Sequence, residues 1–111
     1  MAKKNSFFQN VPFALDNALT TLGMNLRMAR KRRNLSAQKV ADKLGIGVRS
    51  VMDAEKGKPT TAISTYMGLL WVYDLLSDMK NLADPMKDME GIRLAAVRKK
   101  RTIKSELDND F

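Results

Sequence analysis

Cysteine and histidine are both absent from this 111-residue sequence. Their absence excludes disulfides, thiol nucleophiles, imidazole acid–base chemistry and nearly every structural zinc site, so no metal is expected. The lack of cysteine also suits a reducing compartment. Long apolar runs are missing too. The longest uncharged stretch, residues 59–73, is too short and too rich in Thr and Ser to cross a bilayer. Lys3 and Lys4 resemble the start of a signal peptide, but Gln9, Asn10 and Pro12 break up the apolar run behind them. The expectation is a soluble cytoplasmic protein without a membrane partner.

For catalysis only Asp, Glu, Lys, Tyr, Ser and Thr remain. Asp84, Asp88 and Glu90 cluster, but on a linker-like segment with no pocket implied. No Gly-rich phosphate loop and no ligand set is present. No catalytic residue and no cofactor is therefore expected, and the chain does not read as an enzyme.

What the sequence does have is segregated positive charge, +8 overall. Residues 22–58 hold ten Lys or Arg against three Asp or Glu, and residues 91–105 hold six against none. Between them, residues 59–90 are net acidic. Two basic blocks around a neutral-to-acidic middle point to a polyanion-binding surface beside a separate packing or assembly surface.

Apolar periodicity is helical throughout and strand alternation is lacking, so the fold class is all-α. Residues 1–11 show no sustained period and read as an arm. Helical signals begin near Pro12, with Phe13, Leu15, Ala18, Leu19 and Leu22 at helical spacings. Gly23 leaves two options, one long helix or a break near residues 20–23. Leu22, Leu26 and Ala29 form one stripe, and Asn34 ends that helix. Ser36 is a good N-cap for a helix over 37–44, which Gly45 stops. Gly47 caps the next helix, which runs to about Lys56 with Val51 and Ala54 inward. Further helices are expected over 61–73 and 75–82. The boundaries drawn are an N-terminal arm or helical extension over 1–20, a domain over 21–83, and a linker with a basic, flexible tail over 84–111.

Residues 36–55 carry the functional signal. Two short helices are set at a steep angle: Ala41 is small where they approach, Gly45 allows the sharp turn, Ile46 plugs the angle and Val51 closes the core. Held this way, the second of them projects its outer face toward a major groove while surrounding cations meet phosphates.

These residues resemble the helix-turn-helix of the phage-repressor/Cro (Xre) family, from about Leu22 to Leu82 and including the trailing Glu55-Lys56-Gly57-Lys58. The resemblance implies a five-helix, lambda-repressor-like DNA-binding domain. By it, Ser36, Ala37 and Gln38 open the helix that touches backbone phosphate. Gly47, Val48, Arg49, Ser50, Met52 and Asp53 occupy the face that reads bases or grips the flanking backbone, and Arg30 and Glu55 match a structural ion pair. Several positions depart from the pattern. Ala37 stands where Gln is usual, and Gly47, Val48 and Met52 are apolar where polar residues are common. Arg49 is equipped for bidentate guanine readout, worth about 1–3 kcal/mol of discrimination. Asp53 either accepts from cytosine or acts as a negative filter. Lys39, Lys56 and Lys58, with Lys31, Arg32, Arg33 and Lys43, flank the motif within reach of phosphate.

The helices over 61–82 carry more apolar residues than one small core hides. Trp71, Val72 and Leu75 therefore read as a dimerisation seam, the alternative being that Trp71 merely caps the core. A homodimer of this family places two recognition helices on a palindromic operator in double-stranded DNA. Residues 92–105 form a basic tail that either adds non-specific DNA affinity or folds as a helix on a protein partner.

The layout of a small helix-turn-helix domain, an Asp84-Pro85 linker and a basic tail also resembles HipB-like antitoxins. That likeness implies an autoregulating repressor of a toxin–antitoxin operon with a HipA-like kinase toxin as partner. The alternatives are a stand-alone or phage-type repressor without a toxin, and a non-specific nucleic-acid-binding protein.

Overall fold

The structure is a computed structural model that describes residues 6–109. Residues 1–5 of the expected arm and residues 110–111 of the expected tail lie outside the described residues. Among the described residues, regular structure is entirely helical. It comprises α1 (Ser6–Gln9), α2 (Phe13–Arg32), α3 (Ala37–Leu44), α4 (Val48–Glu55), α5 (Ile63–Val72), a 3-10 helix (Leu76–Asn81) and α6 (Met89–Asn109). The all-α class holds. The five-helix count is not confirmed: six α-helices form among the described residues, one a single turn within the expected arm and one a long helix within the expected tail, while the helix expected over 75–82 is the 3-10 helix. The chain divides into two compact units, Met1–Ser77 and Asp78–Phe111.

In the first unit, α2 runs unbroken for 20 residues, which decides between the two options at Gly23. Glycine usually weakens a helix interior, by about 1 kcal/mol relative to alanine. Here it is retained for a tertiary reason. A Cβ on Gly23 would sit 2.6 Å from the Glu55 carbonyl oxygen and 2.7 Å from that of Ala54. The bare backbone of α2 thus receives the end of α4. Gly57, just past α4, makes the reciprocal approach: a Cβ there would run into the Leu19 carbonyl and lie 2.7 Å from the Thr20 nitrogen.

α3 is bounded by its caps. The Ser36 hydroxyl accepts from the Lys39 N–H at 3.1 Å. Gly45 takes the left-handed conformation (φ 66°), while the Ile46 N–H reaches back to the Ala41 carbonyl at 3.0 Å. This closing pattern turns the chain sharply into α4.

α4 packs against α2, α3 and α5. Its inward residues Val51 and Ala54 are fully buried, as are Val40 and Ala41 of α3, Leu26 of α2, Leu69 of α5 and Tyr73 just beyond it. Each fully buried Val or Leu contributes about 1.5–3 kcal/mol of transfer free energy. The seat of α4 is therefore an apolar surface drawn from three other helices. Ile46 is half-buried at the turn, and Leu22, at the edge of its stripe, is also only half-buried.

In the second unit, the segment expected as a flexible tail is a 21-residue helix running through Gly91. Its start is chemically marked. The Asp88 carboxylate accepts from the Gly91 N–H at 2.9 Å, the Asp88 carbonyl accepts from Ile92 N–H at 2.9 Å, and Glu90 pairs with Arg93 one turn on. No described helix is long and apolar enough to cross a membrane.

Candidate nucleic-acid interface

α4 begins at Gly47 and presents two faces. With Val51 and Ala54 buried, the 3.6-residue period turns Arg49 and Met52 outward, and both are exposed. Val48, Ser50 and Asp53 are half-buried along its edges, and Gly47 is exposed at its N-terminus. At the start of α3, Ser36, Gln38 and Lys39 are exposed and Ala37 is half-buried. The Gln38 amide donates to Asp42 Oδ1 at 2.9 Å, one turn along the same helix.

Arg30 and Glu55 join the ends of α2 and α4. Arg30 Nε donates to Glu55 Oε2 at 2.7 Å and Nη2 to Oε1 at 3.0 Å, a bidentate pair. A further bond runs from Arg30 Nη1 to the Leu35 carbonyl at 3.0 Å. The two side chains are only 14% and 8% exposed. Hydrogen bonding to Glu55 raises the Arg30 pKa further above its already high value. Arg30 is thereby committed to the scaffold.

Asp53 lies between two cations, Lys58 Nζ at 3.2 Å and Arg49 Nε at 3.6 Å. Its carboxylate answers charge within the protein without hydrogen-bonding Arg49, and the Arg49 side chain stays 82% exposed. Lys58 is fixed from the other side as well. Its N–H bonds the Asp53 carbonyl at 3.2 Å, and its carbonyl accepts the Tyr66 hydroxyl at 2.8 Å. Burial raises the Tyr66 pKa, so this phenol remains a donor.

Arg33 is not a free surface cation. Its guanidinium donates to the Ala29 carbonyl at 2.9 Å and, forty residues on, to the Tyr73 carbonyl at 2.8 Å. It also lies over the Tyr73 ring, 5.6 Å from the centroid. It ties the end of α2 to the end of α5. Tyr73 itself is fully buried, its hydroxyl has no hydrogen-bond partner, and burial pushes its pKa up to about 12.

The three acids of residues 22–58 are all engaged: Asp42 by Gln38, Asp53 by Lys58 and Arg49, and Glu55 by Arg30. Arg27, Lys31, Arg32, Lys39, Lys43 and Lys56 have no ion-pair partner among the described residues. Of these, Arg27 and Lys56 lie together beside Met52 of α4.

Arg27 was not among the sequence candidates. It lines a shallow depression with Ala37, Met52 and Lys56, floored by Arg30 and Glu55. The signal for it was available, because residues three apart share a helix face and Arg27 precedes Arg30 by three.

Trp71, Val72 and Leu75 lie at the far end of α5 and just beyond. Trp71 is 64% exposed and Leu75 39%, with Val72 half-buried. Ile63 and Met67, also exposed, precede Trp71 at intervals of four, so an apolar row runs the length of α5.

No protein-family model matches the chain, and no solved structure matches it. Over 49 residues it is 37% identical to an uncharacterized HTH-type transcriptional regulator of Sinorhizobium fredii. The alignment takes in 44% of this chain and 64% of that relative, so the chain spans just under two thirds of the relative's length. The likeness is to a helix-turn-helix regulator, and the relative's name specifies neither Xre nor HipB.

Proposed function

We propose that the chain is a sequence-specific, DNA-binding transcriptional repressor acting as a homodimer on a palindromic operator, with residues 21–83 as its DNA-binding domain. The observation that carries this reading is α4. It is seated by Val51 and Ala54, closed at its end by Gly57 and by the Arg30–Glu55 pair, and bordered by unpaired cations, while Arg49 and Met52 face outward. A helix held rigidly on one side and offered on the other is what major-groove readout requires. Arg49 is the residue for guanine. Ser36, Gln38, Lys39, Lys56 and Lys58 hold the backbone, and Gly47, Val48, Ser50, Met52 and Asp53 complete the reading face. The exposed row on α5, continued by Val72 and Leu75, is the dimer seam. A regulator of this kind works in the cytoplasm.

Within this reading, the finer proposal is an antitoxin that represses its own operon and binds a HipA-like kinase toxin. It rests on the resemblance in layout, a helix-turn-helix domain followed by a basic C-terminal segment. A stand-alone repressor shares the DNA chemistry and lacks the toxin.

The test is fluorescence anisotropy on a labelled duplex from the region upstream of the protein's own gene, with a scrambled duplex at equal salt. Specific binders show a preference of about 10³ or more. With about four to six phosphates met per subunit, the dimer's log–log salt slope is expected near −7 to −11. Arg49→Ala should relax the base preference and Lys39→Ala should weaken both duplexes alike. Equal affinity of the parent protein for both duplexes would refute autorepression as its own activity. Co-purification with the product of the neighbouring gene then separates the antitoxin from the stand-alone repressor.

A further inference from the structure

α6 carries six cations between Gly91 and Ser105 and no acid in that stretch. Arg93 pairs with Glu90. Arg98, Lys99, Lys100, Arg101 and Lys104 have no ion-pair partner among the described residues, and all five are exposed. Arg93, Lys100 and Lys104 recur at i, i+7 and i+11 and so share one flank, over about 16 Å of helix. Lys99 and Arg101 lie about 100° to either side of Lys100 and Arg98 lies on the far side, so positive charge surrounds the helix. With 21 residues the helix is about 31 Å long, close to one turn of B-DNA at about 34 Å.

An apolar stripe also runs along α6, through Met89, Ile92, Ala96, Ile103 and Leu107. Its spacing calls for an anchor at 99 or 100, and both positions are lysine. A protein groove taking this stripe would have to bury an ammonium group at its centre, which is costly without a partner. A row of phosphates takes the same lysines directly.

We infer that α6 is a second DNA-contacting element, one that meets the phosphate backbone of duplex DNA through Lys100 and Lys104 on one flank, with Lys99 and Arg101 to either side of them, without reading bases. The inference rests on the DNA-binding reading above and extends it to a part of the chain outside the helix-turn-helix. Phosphate contacts set affinity and salt dependence, whereas base contacts set specificity. α6 therefore adds affinity for every duplex and leaves the ratio between duplexes unchanged.

The experiment compares the full-length protein with a variant carrying Lys99→Gln, Lys100→Gln, Arg101→Gln and Lys104→Gln, substitutions that keep helix propensity close to the parent's. Binding to operator and scrambled duplexes is measured across a salt series. Each lost phosphate contact removes about 0.9 from the log–log slope, so the slope should become shallower by about 2–4 per subunit on both duplexes. An Ile92→Gln, Ile103→Gln variant, which alters the stripe and not the charge, should keep the parent slope. An unchanged slope in the charge variant, beside intact operator preference, overturns the inference alone and turns attention to an acidic protein partner. An equal loss in the stripe variant also overturns it, since the cations would then act only through assembly. Parent binding without sequence preference, with a slope that falls in the charge variant, supports α6 while refuting the repressor reading. No binding of the parent to either duplex refutes both.

Discussion

Four glycines of the first unit separate two physical effects that usually come mixed. At Gly45 an added Cβ meets nothing within 4 Å, but φ is +66°. At Gly23 the backbone is ordinary α-helix, but the Cβ would press to 2.6–2.8 Å on the Ala54 and Glu55 backbone. Gly57 combines a φ of +70° with a clash on Leu19 and Thr20, and Gly47 has neither problem. Alanine at Gly45 should therefore cost only the left-handed penalty, about 1–2 kcal/mol. At Gly23 two terms oppose each other. Helix propensity favours alanine by about 1 kcal/mol, whereas overpacking typically costs 1–3 kcal/mol. The obstructing atoms are backbone on both sides and cannot rotate away, so the cost belongs at the upper end and the net loss is about 2 kcal/mol. Gly57→Ala, which adds the two penalties, should lose about 3–5 kcal/mol, and Gly47→Ala, which meets neither, only the lower N-cap preference of alanine, about 0.5–1 kcal/mol.

Urea unfolding followed by tryptophan fluorescence suits this comparison. Trp71 is the single tryptophan and sits in the same unit as all four glycines. Two-state transitions with a common slope would allow the midpoints to be ranked directly. By heat, a loss of 2 kcal/mol corresponds to roughly 8–16 °C in a domain of this size. If Gly23→Ala proved as stable as the parent, or more so, propensity would have won and the close approach of α4 to α2 would be wrong. If Gly57→Ala cost no more than Gly45→Ala, the Leu19 contact would fall with it.

Three further outcomes follow from the same packing. Arg30→Ala leaves the part-buried Glu55 carboxylate without its partner and should cost about 1–3 kcal/mol; an unchanged urea midpoint would remove Arg30 from the scaffold. Tyr66→Phe loses the bond to the Lys58 carbonyl and should cost about 1 kcal/mol, whereas Tyr73→Phe removes a hydroxyl with no partner and should be neutral or slightly stabilising. The opposite order in unfolding experiments would contradict the assigned surroundings of the two phenols. The Tyr73 pKa of about 12 lies above the unfolded value near 10. Its contribution is therefore complete below about pH 10 and is lost as pH rises toward 12, about 2–3 kcal/mol in all. In the Tyr66→Phe variant, phenolate absorbance should show no ionisation near pH 10 while the fold is intact, and a phenol titrating there would refute the burial of Tyr73.

The parts of the fold that the sequence reveals are those determined by neighbours in the chain. Ser36 and Gly45 bound α3 because a hydroxyl at an N-cap and a left-handed glycine after the last turn satisfy backbone groups within four residues. Val51 and Ala54 against Arg49 and Met52 sort the two faces of α4 by period alone. Where the deciding partner is distant, local signals mislead. Gly23 reads as a helix breaker until the Ala54 and Glu55 carbonyls are placed against it. Arg33 is indistinguishable from Lys31 and Arg32 in the sequence, and only the Tyr73 carbonyl, forty residues away, marks it as tied to the end of α5. The C-terminal helix is the contrary case. Its cues, the Asp88 cap, the Glu90–Arg93 pair and Ala95-Ala96, were all local, and the weight given to basic composition concealed them.

The same distinction bears on the candidate site. Charge counting over residues 22–58 treats ten cations as equivalent, yet Arg30 and Arg33 are bound internally and Arg49 and Lys58 share Asp53. Six remain without a partner among the described residues, and one of them, Arg27, lies beside Met52 and Lys56. The surface that can meet a polyanion is thus smaller than the composition implies and more sharply positioned. Two of its cations, Arg27 and Lys56, lie beside Met52 of α4, and the part-buried Arg30–Glu55 pair in the same depression fixes the end of α4 against α2.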